Sequence, residues 1–338
     1  MMLNKRCFKK MINVAINGFG RIGRMVFRAC DFKGINIVGI NDLTTTQNLA
    51  YLLKYDSAHK KFDKDIGYNS DSLVIDGRKI KVFNQSDPQL IPWGKLNVDV
   101  VIESTGLFRT KEAIMKHISA GAKKVLLSAP PKDDIKTIVI GVNDKEIKKS
   151  DILLSNASCT TNCLAPIAKI LEDNYKIKSA FMTTTHAYTA DQRLVDSPHE
   201  DFRRGRSAGV NIIPTSTGAT KSVAQVIPSL KGKMSGIALR VPVVTGSVVD
   251  FVALVNQKVD EKDLKSTFLK YAKGTMKGIL EFSEEKIVSS DIIDNCASSI
   301  IDWEFCSVNG NLIKIVSWYD NEWGYSKRMI DIVQKWCN

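Results

Sequence analysis

The chain has 338 residues, 44% of them hydrophobic, and its 48 basic and 36 acidic side chains give a formal net charge of +12. This length favours two domains with apolar cores, and because no apolar run is long enough to cross a bilayer, we expect a cytoplasmic protein rather than a membrane-spanning one. Seven cysteines without a CxxC pair and four histidines without HExxH spacing argue against a disulfide framework and predict no metal site.

The positive charge favours anionic partners, namely phosphorylated metabolites, dinucleotides or nucleic acid. The basic residues are dispersed and lack the interleaved aromatic residues of single-strand-binding proteins, which favours a solvated basic surface. The first ten residues carry four basic side chains and no hydrophobic segment, so residues 1–10 are interpreted as an N-terminal extension.

A strand, a glycine turn and a helix form the first predicted unit. Residues 13–16 are apolar, and residues 25–27 begin a helix. Between them Gly18, Gly20 and Gly23 fit the pattern G-x-G-x-x-G, which permits a tight turn, a close approach of the backbone to a pyrophosphate, and close packing of the helix on the strand. For this pattern alone, a glycine turn without a ligand is the alternative.

The second predicted strand supports a dinucleotide site. Residues 35–40 lead to Asp42, which lies about 20 residues beyond the glycine turn, where an acidic residue binds the adenosine ribose. The negative charge of Asp42 disfavours a 2′-phosphate, so the sequence predicts NAD in preference to NADP.

Helices and strands continue to alternate after Asp42. The pattern predicts a helix at 48–55, a hairpin at 73–83, a strand at 98–103, a helix at 111–120 and strands at 125–128 and 137–140. This alternation is typical of a Rossmann fold, a doubly wound and mostly parallel sheet that binds its cofactor at the carboxyl ends of the strands. Thr105 and Ser128 are therefore predicted to contact the cofactor.

Cys159 is the predicted nucleophile. It follows a short apolar strand at 151–154 and precedes apolar residues that recur at helical spacing from Leu164 to Leu171. A helix N-terminus stabilises an anion, so we expect a lowered pKa for this thiol. The alternative is a small buried cysteine. The hydroxyl and amide side chains between Ser155 and Asn162 favour the nucleophile.

The second half of the chain is richer in β-formers, at 179–186, 236–241, 247–255 and 312–318. The predicted fold class is therefore α/β, with an α+β catalytic domain and its antiparallel sheet following the Rossmann domain. We expect an NAD-binding domain at 11–158, a catalytic domain at 159–321, and a C-terminal helix within 322–338 that packs back on the first domain.

His186 is the predicted partner of the thiol, because it closes the strand at 181–185 and a cysteine nucleophile needs a base or an ion-pair partner. His59 and His117 lie on segments predicted to be exposed helix or loop, and His199 lies in a charged loop. A purely structural histidine is the alternative for His186.

Two further features indicate anion binding. Arg240 is a charge on an otherwise apolar strand and must be paired, for which a phosphate or carboxylate would be suitable. Thr217 and Gly218 belong to a hydroxyl-rich run that suits anion capture, although a helix cap is the alternative.

With these motifs in order, the chain resembles the glyceraldehyde-3-phosphate dehydrogenase family from Met11 to Asn338. The segments that carry the resemblance are Asn17 to Arg24, Ser155 to Pro166, Thr185 to Thr189, Thr215 to Ala219, Leu239 to Pro242 and Trp318 to Tyr325.

The resemblance implies the phosphorylating oxidation of glyceraldehyde 3-phosphate to 1,3-bisphosphoglycerate with NAD and inorganic phosphate, a step of glycolysis and gluconeogenesis. Cys159 would form a thiohemiacetal and then a thioester, with His186 lowering the thiol pKa and taking the hydroxyl proton. The implied ligands are Thr189 and Arg240 for the substrate phosphate, Ser158, Thr160, Thr217 and Gly218 with Arg203 nearby for the attacking phosphate, Asn321 for the nicotinamide, and Arg21 and Ile22 for the pyrophosphate.

The long loop at 191–213 resembles the family's segment that reaches a neighbouring subunit's cofactor, which implies a homotetramer. Leu43 and Pro198 resemble the NAD-using members of the family. The alternatives are a dehydrogenase of erythrose 4-phosphate, which Asp42 disfavours because that group tends to carry glutamate there, and a secondary role in binding RNA or another polyanion through the basic surface.

Overall fold

Two eight-stranded sheets organise residues 11–338, the part of the chain that the computed structural model describes. The predicted extension at 1–10 lies outside these residues. The strands are β1 (Ile12–Asn17), β2 (Ile35–Asn41), β3 (Ile66–Asn69), β4 (Ser72–Ile75), β5 (Arg78–Phe83), β6 (Val100–Glu103), β7 (Lys124–Leu127), β8 (Leu153–Ser155), β9 (Ile177–Ala187), β10 (Ile213–Ser216), β11 (Met234–Val241), β12 (Ser247–Val255), β13 (Leu280–Ser283), β14 (Ser299–Asp302), β15 (Ser307–Asn309) and β16 (Leu312–Tyr319). The α-helices are α1 (Arg21–Ala29), α2 (Thr46–Lys54), α3 (Lys111–Ser119), α4 (Cys159–Tyr175), α5 (Ala219–Val226), α6 (Glu261–Lys273) and α7 (Trp323–Cys337).

The first sheet has the strand order β3-β4-β5-β2-β1-β6-β7-β8, and all pairs from β5 to β8 are parallel. Its central strand is buried on both faces: Val14 and Ile16 enter one apolar core and Ala15 enters the other. This confirms the doubly wound fold. Because β2 and β6 lie on opposite sides of β1, the chain reverses its winding direction there, and ligands of such sheets bind at this point.

One predicted strand of this sheet is wrong. Residues 137–140 are buried, but they form only a single bridge, from Thr137 to Ser155. The chain turns instead, because the Asn143 side chain accepts from Val139 N and donates to Thr137 O, and Gly141 adopts a positive φ of 84°. An apolar run predicts that the segment is buried. It does not show whether the backbone hydrogen bonds go to a neighbouring strand or, as here, to a side chain.

The second sheet is mixed, with the strand order β10-β11-β9-β12-β16-β14-β13 and with β15 paired to β16. Most neighbours are antiparallel, as predicted, but β11 and β9 are parallel, and so are β13 and β14. Helix α4 contributes Leu164, Ile167 and Leu171 to the core of this sheet, which places its first turn above the ends of β9 and β16.

Helix α7 packs on α1 of the first sheet's layer. Its buried face, which includes Met329, Ile330 and Val333, joins the same core as Val14 and Ile16. The chain therefore returns to the first sheet after completing the second. No helix within residues 11–338 has the length and apolar character that crossing a membrane requires.

Met329→Ala should lower the free energy of unfolding by about 2–5 kcal/mol, because the Met329 side chain on α7 is fully buried against the first sheet's layer. Met329→Leu is the matched control and should cost less than about 1.5 kcal/mol, since it conserves volume. Urea unfolding measures both. Equal stability of the two variants would contradict the packing described for α7.

Candidate active site

Cys159 is the first residue of α4, as the sequence predicts. Ser158 caps the helix, and its hydroxyl oxygen accepts from Thr161 N at 3.1 Å. Ala157 adopts a positive φ of 53°, which turns the chain sharply from β8 into the helix. The half-buried Cys159 therefore lies among the free N–H groups of the first turn.

His186 lies beside the thiol. Its Nε2 atom is 3.3 Å from Cys159 Sγ, although the two residues belong to different elements. On the other side of the ring, Nδ1 is 2.6 Å from Ala187 O and 2.6 Å from Arg240 Nη1. Because a carbonyl only accepts and a guanidinium only donates, Arg240 and Ala187 compete to set the tautomer of His186.

Burial dominates the titration of this pair. It raises the pKa of the Cys159 thiol, and the charge of Arg240 and the N–H of Thr160 only partly oppose it. Burial, together with Arg240, lowers the pKa of His186 to about 3. The expectation that the helix start alone would lower the thiol pKa is therefore wrong for this state. A thiolate requires that the proton pass from Sγ to Nε2 within the site.

Tyr319 connects the first turn of α4 to the second sheet. Its hydroxyl lies 2.9 Å from the hydroxyl of Thr160 and 2.9 Å from that of Thr184 on β9. Its ring also meets the His186 ring edge-on, with centroids 5.9 Å apart. The hydroxyl of Thr160, which the resemblance assigns to the attacking phosphate, is thus already hydrogen-bonded.

The other predicted phosphate ligands lie on nearby loops and on a helix start. The Thr189 backbone N–H and hydroxyl both donate to Gln192 Oε1. Thr217 and Gly218 precede α5, where the Thr217 hydroxyl oxygen accepts from Ala219 N and Gly218 is the N-cap. Both predicted interpretations of this run, helix cap and anion site, fit this geometry.

The structure distinguishes two adjacent arginines. Arg203 is exposed, and within residues 11–338 its guanidinium has no hydrogen-bond or ion-pair partner. Arg204 is half-buried, donates to Asp191 and to Ser216 O, and its charge lowers the pKa of Arg240 in addition to burial. The sequence could not separate them, because only the path of the 191–213 loop decides which one turns inward.

The glycine turn has the geometry that its pattern predicts. Gly18 has a positive φ of 89°, and a Cβ on Gly23 would lie 2.1 Å from Gly18 O. A Cβ on Gly20 would meet no atom within 4 Å, so open space adjoins the start of α1. Asp42 accepts from Phe19 N at 2.8 Å, which holds its carboxylate at the turn. This space beside free N–H groups fits a pyrophosphate.

The Arg21 side chain is not free to contact a pyrophosphate. Its guanidinium forms ion pairs with Asp56 and Glu322. The backbone N–H groups of Arg21 and Ile22 lie in the first turn of α1. They are still available to an anion at this helix start.

Thr105 and Ser128 lie at the carboxyl ends of β6 and β7, as predicted. The Thr105 backbone N–H and hydroxyl both donate to the fully buried Glu103, and Ser128 N donates to Glu103 O. His117 also contacts Glu103, at 3.0 Å, and is fully buried. The prediction that His117 lies on an exposed segment is wrong, because its two ring nitrogens pair with Trp93 and Glu103 inside the core.

Asn321 is held by its carbonyl oxygen, which accepts from Ser247 Oγ at 2.8 Å and from Gly246 N at 3.1 Å. Among the described residues its NH2 group has no hydrogen-bond partner. A buried amide with a fixed acceptor and a free donor fits the carboxamide of a nicotinamide.

His59 is buried as well, so its predicted exposure is also wrong. Its ring contacts Asp294 and Glu322, which follow it by 235 and 263 residues. Contacts at such separation leave no local signal in the sequence.

Comparisons with known proteins cover nearly the whole chain. The family model for the NAD binding domain of glyceraldehyde 3-phosphate dehydrogenase matches residues 12–111, and the model for its C-terminal domain matches residues 158–321. A glyceraldehyde-3-phosphate dehydrogenase of Borreliella burgdorferi is 51% identical over 96% of this chain and 99% of its own length. One of Geobacillus stearothermophilus is 50% identical over 95% of this chain and 97% of its own length.

Gly20→Ala should fold normally but raise the Kd for NAD at least about tenfold, because its Cβ would occupy the open space at the start of α1. Calorimetric titration measures the Kd. Gly23→Ala is the contrasting variant: the clash with Gly18 O should destabilise the fold by roughly 1–3 kcal/mol, even though alanine favours helix. Normal NAD affinity of Gly20→Ala would contradict this placement of the cofactor.

Proposed function

The chain belongs to the glyceraldehyde-3-phosphate dehydrogenase family, and on that premise we propose that Cys159 and His186 perform its chemistry. The protein is an NAD-dependent oxidoreductase that oxidises glyceraldehyde 3-phosphate. The contact of 3.3 Å between Sγ and Nε2 at the start of α4 is the observation that carries this assignment. The second candidate substrate, erythrose 4-phosphate, is not favoured, since the relatives are named for the triose phosphate.

The thiol attacks first. Sγ forms a bond to the aldehyde carbon while its proton passes to His186 Nε2, and the imidazolium returns this proton to the carbonyl oxygen, which becomes the hydroxyl of a thiohemiacetal. His186 then takes the proton of that hydroxyl as the hydride leaves the same carbon, which yields a thioester. When bound, NAD accepts this hydride. Inorganic phosphate attacks the thioester carbon, Sγ leaves, and 1,3-bisphosphoglycerate is released.

Arg240 has two roles in this proposal. With Thr189 it binds the phosphate of the substrate. When a phosphate engages Arg240, the guanidinium no longer donates to His186 Nδ1, so that Nδ1–H donates to Ala187 O and the lone pair of Nε2 faces the thiol. Substrate binding thereby prepares His186 to act as a base.

The attacking phosphate binds at the two helix starts of the second sheet's layer. Ser158, Thr217 and Gly218 line these starts, and Thr160 contributes its N–H because its hydroxyl is bonded to Tyr319. We assign the accompanying arginine to Arg204 instead of Arg203, since Arg204 donates to Ser216 O, beside Thr217, whereas Arg203 is exposed.

Cofactor binding follows the proposed division into a domain at 11–158 and a catalytic domain at 159–321. Gly18, Gly20, Arg21, Ile22 and Gly23 bind the pyrophosphate, and Asp42 binds the adenosine ribose. Thr105 and Ser128 line the cleft from the first sheet, and Asn321 donates to the nicotinamide carboxamide. The open space at Gly20 and the free Asn321 amide support this arrangement.

We also propose a homotetramer in the cytoplasm. The loop at 191–213 exposes apolar side chains that a monomer would leave in water, with Leu194 79% and Phe202 90% exposed. Six cysteines within residues 11–338 are free thiols, which is typical of a reducing compartment. A polyanion partner for the basic surface remains a prediction.

Cys159→Ser should lower the rate of NADH formation from glyceraldehyde 3-phosphate at least about a thousandfold and leave NAD binding unchanged, since a serine hydroxyl is a poor nucleophile here. Cys296→Ser, at an exposed free cysteine, is the matched control and should retain full activity. Dehydrogenation by the Cys159 variant would refute the assignment.

Arg204→Gln should raise the KM for inorganic phosphate by about tenfold or more, because a charged partner of the attacking phosphate is lost. Its neighbour Arg203→Gln should leave that KM unchanged, since Arg203 is exposed. Initial rates at varied phosphate decide between the two arginines. The opposite result would return the role to Arg203.

A further inference from the structure

A cluster of charged groups surrounds the buried His59 where the two sheets' layers meet, and Asp294 lies at its exposed edge. We call it the His59 cluster. Its carboxylates come from three separate parts of the chain and its arginine from the start of α1. The members are His59, Arg21, Asp56, Asp294, Asp320 and Glu322.

The geometry around the ring defines its protonation state. Nδ1 lies 2.5 Å from Asp294 Oδ1, and Nε2 lies 3.0 Å from Glu322 Oε2. Ionised carboxylates only accept hydrogen bonds, and a neutral imidazole has a single N–H. Only the imidazolium satisfies both contacts. The Trp323 ring lies 5.5 Å away at 31° and covers one face of the histidine.

The cluster reaches both walls of the proposed cofactor cleft. Glu322 binds His59 and also Arg21, whose backbone belongs to the pyrophosphate turn. The Asp320 carboxylate accepts from Asp294 N and Glu322 N, both at 2.9 Å. Asn321 lies between these two acidic residues, and its carbonyl oxygen is fixed by the start of β12.

We propose that His59, as an imidazolium, is a positioning residue that holds the 320–322 segment, and with it the amide of Asn321, against the pyrophosphate turn, so that NAD affinity depends on this proton. The inference rests on the proposed roles of Asn321 and of the glycine turn. His59 touches neither the substrate nor the thiol, and it acts through Glu322, Asp320 and Asp294.

The charges that face His59 come from every element around it. Its own loop contributes Asp56, α1 contributes Arg21, Arg24 and Arg28, the loop before β14 contributes Asp294, and the segment before α7 contributes Asp320 and Glu322. Arg24 and Arg28 interact with Asp56, whereas Glu322, Asp320 and Asp294 act on the ring itself.

The pH dependence follows from these partners. Burial alone would lower the pKa of His59, but Glu322, Asp320 and Asp294 outweigh burial and raise it. The imidazolium is therefore retained to a higher pH than in an ordinary histidine and is lost as the pH rises through this raised pKa. A neutral ring has only one N–H, so one ring nitrogen presents a lone pair to a carboxylate and the two repel each other. The 320–322 segment then loses its hydrogen bond from His59.

The Kd for NAD, measured by calorimetry on the complete enzyme from about pH 6 to about pH 9, tests the proposal. For the wild type the Kd should rise roughly tenfold as His59 loses its proton. His59→Gln should bind NAD roughly tenfold more weakly at low pH and show no such rise, with kcat reduced less than NAD affinity.

Asp294→Asn gives an independent test if His59→Gln does not fold. Asparagine tolerates the positive φ of 67° at this position, so the backbone is unchanged. With one anionic partner removed, the pKa of His59 should fall, and the rise in Kd should move to lower pH with the same low-pH plateau. Asp291→Asn, an exposed acid of the same loop, is the matched control and should reproduce the wild-type profile.

A pH profile of His59→Gln or Asp294→Asn that superimposes on the wild type would overturn the proposal. Nitrogen-15 spectra of the histidine rings provide a second test, in which the His59 signal is identified as the one absent from His59→Gln. This signal should be that of an imidazolium at neutral pH, and a neutral ring would overturn the proposal. NAD binding needs no chemistry at Cys159, so these results are separate from those of Cys159→Ser.

Discussion

The proposed chemistry depends on the contact between Cys159 Sγ and His186 Nε2, two atoms that separate elements bring together. The thiol is placed by the capped start of α4, and the imidazole by the end of β9. The hydroxyl of Tyr319, on β16, lies between Thr160 of the helix and Thr184 of the strand and joins them. These buried hydroxyls therefore connect the start of α4 to the strand that carries His186.

Two buried histidines illustrate how the surroundings, and not burial alone, set the charge of a ring. Burial opposes the imidazolium in both cases. His186 faces the guanidinium of Arg240, so its pKa falls further and the ring is neutral beside the thiol. His59 faces carboxylates, so its pKa rises and the imidazolium is favoured. The first arrangement keeps the ring neutral, as the proposed base must be, and the second favours a cation that connects the surrounding carboxylates. The charge of neither ring could be inferred from the net charge of +12, because that value reflects mainly dispersed basic residues.

The parts of the site that neighbouring residues determine could be predicted from the sequence. Gly18, Gly20 and Gly23 shape their own turn, and Cys159 follows directly from a strand that ends before a helix. The arrangement of distant partners could not. His59 meets carboxylates more than 200 residues away, and the 137–140 run becomes a buried turn because a later asparagine satisfies its backbone. Arg203 and Arg204 are the same residue type in the same loop, and only the folded path of that loop makes them different.

The segment from Asp320 to Glu322 contacts both sheets' layers directly before α7. Asn321 must be fixed by the start of β12 to present its amide, and its neighbours must also reach His59 and Arg21 across the cleft. Helix α7 follows this segment and packs on α1, and its Met329 and Val333 join the core that contains Val14 of β1. The segment that presents Asn321 in the proposed cleft is thus continuous with a helix that the apolar core of the first sheet holds in place.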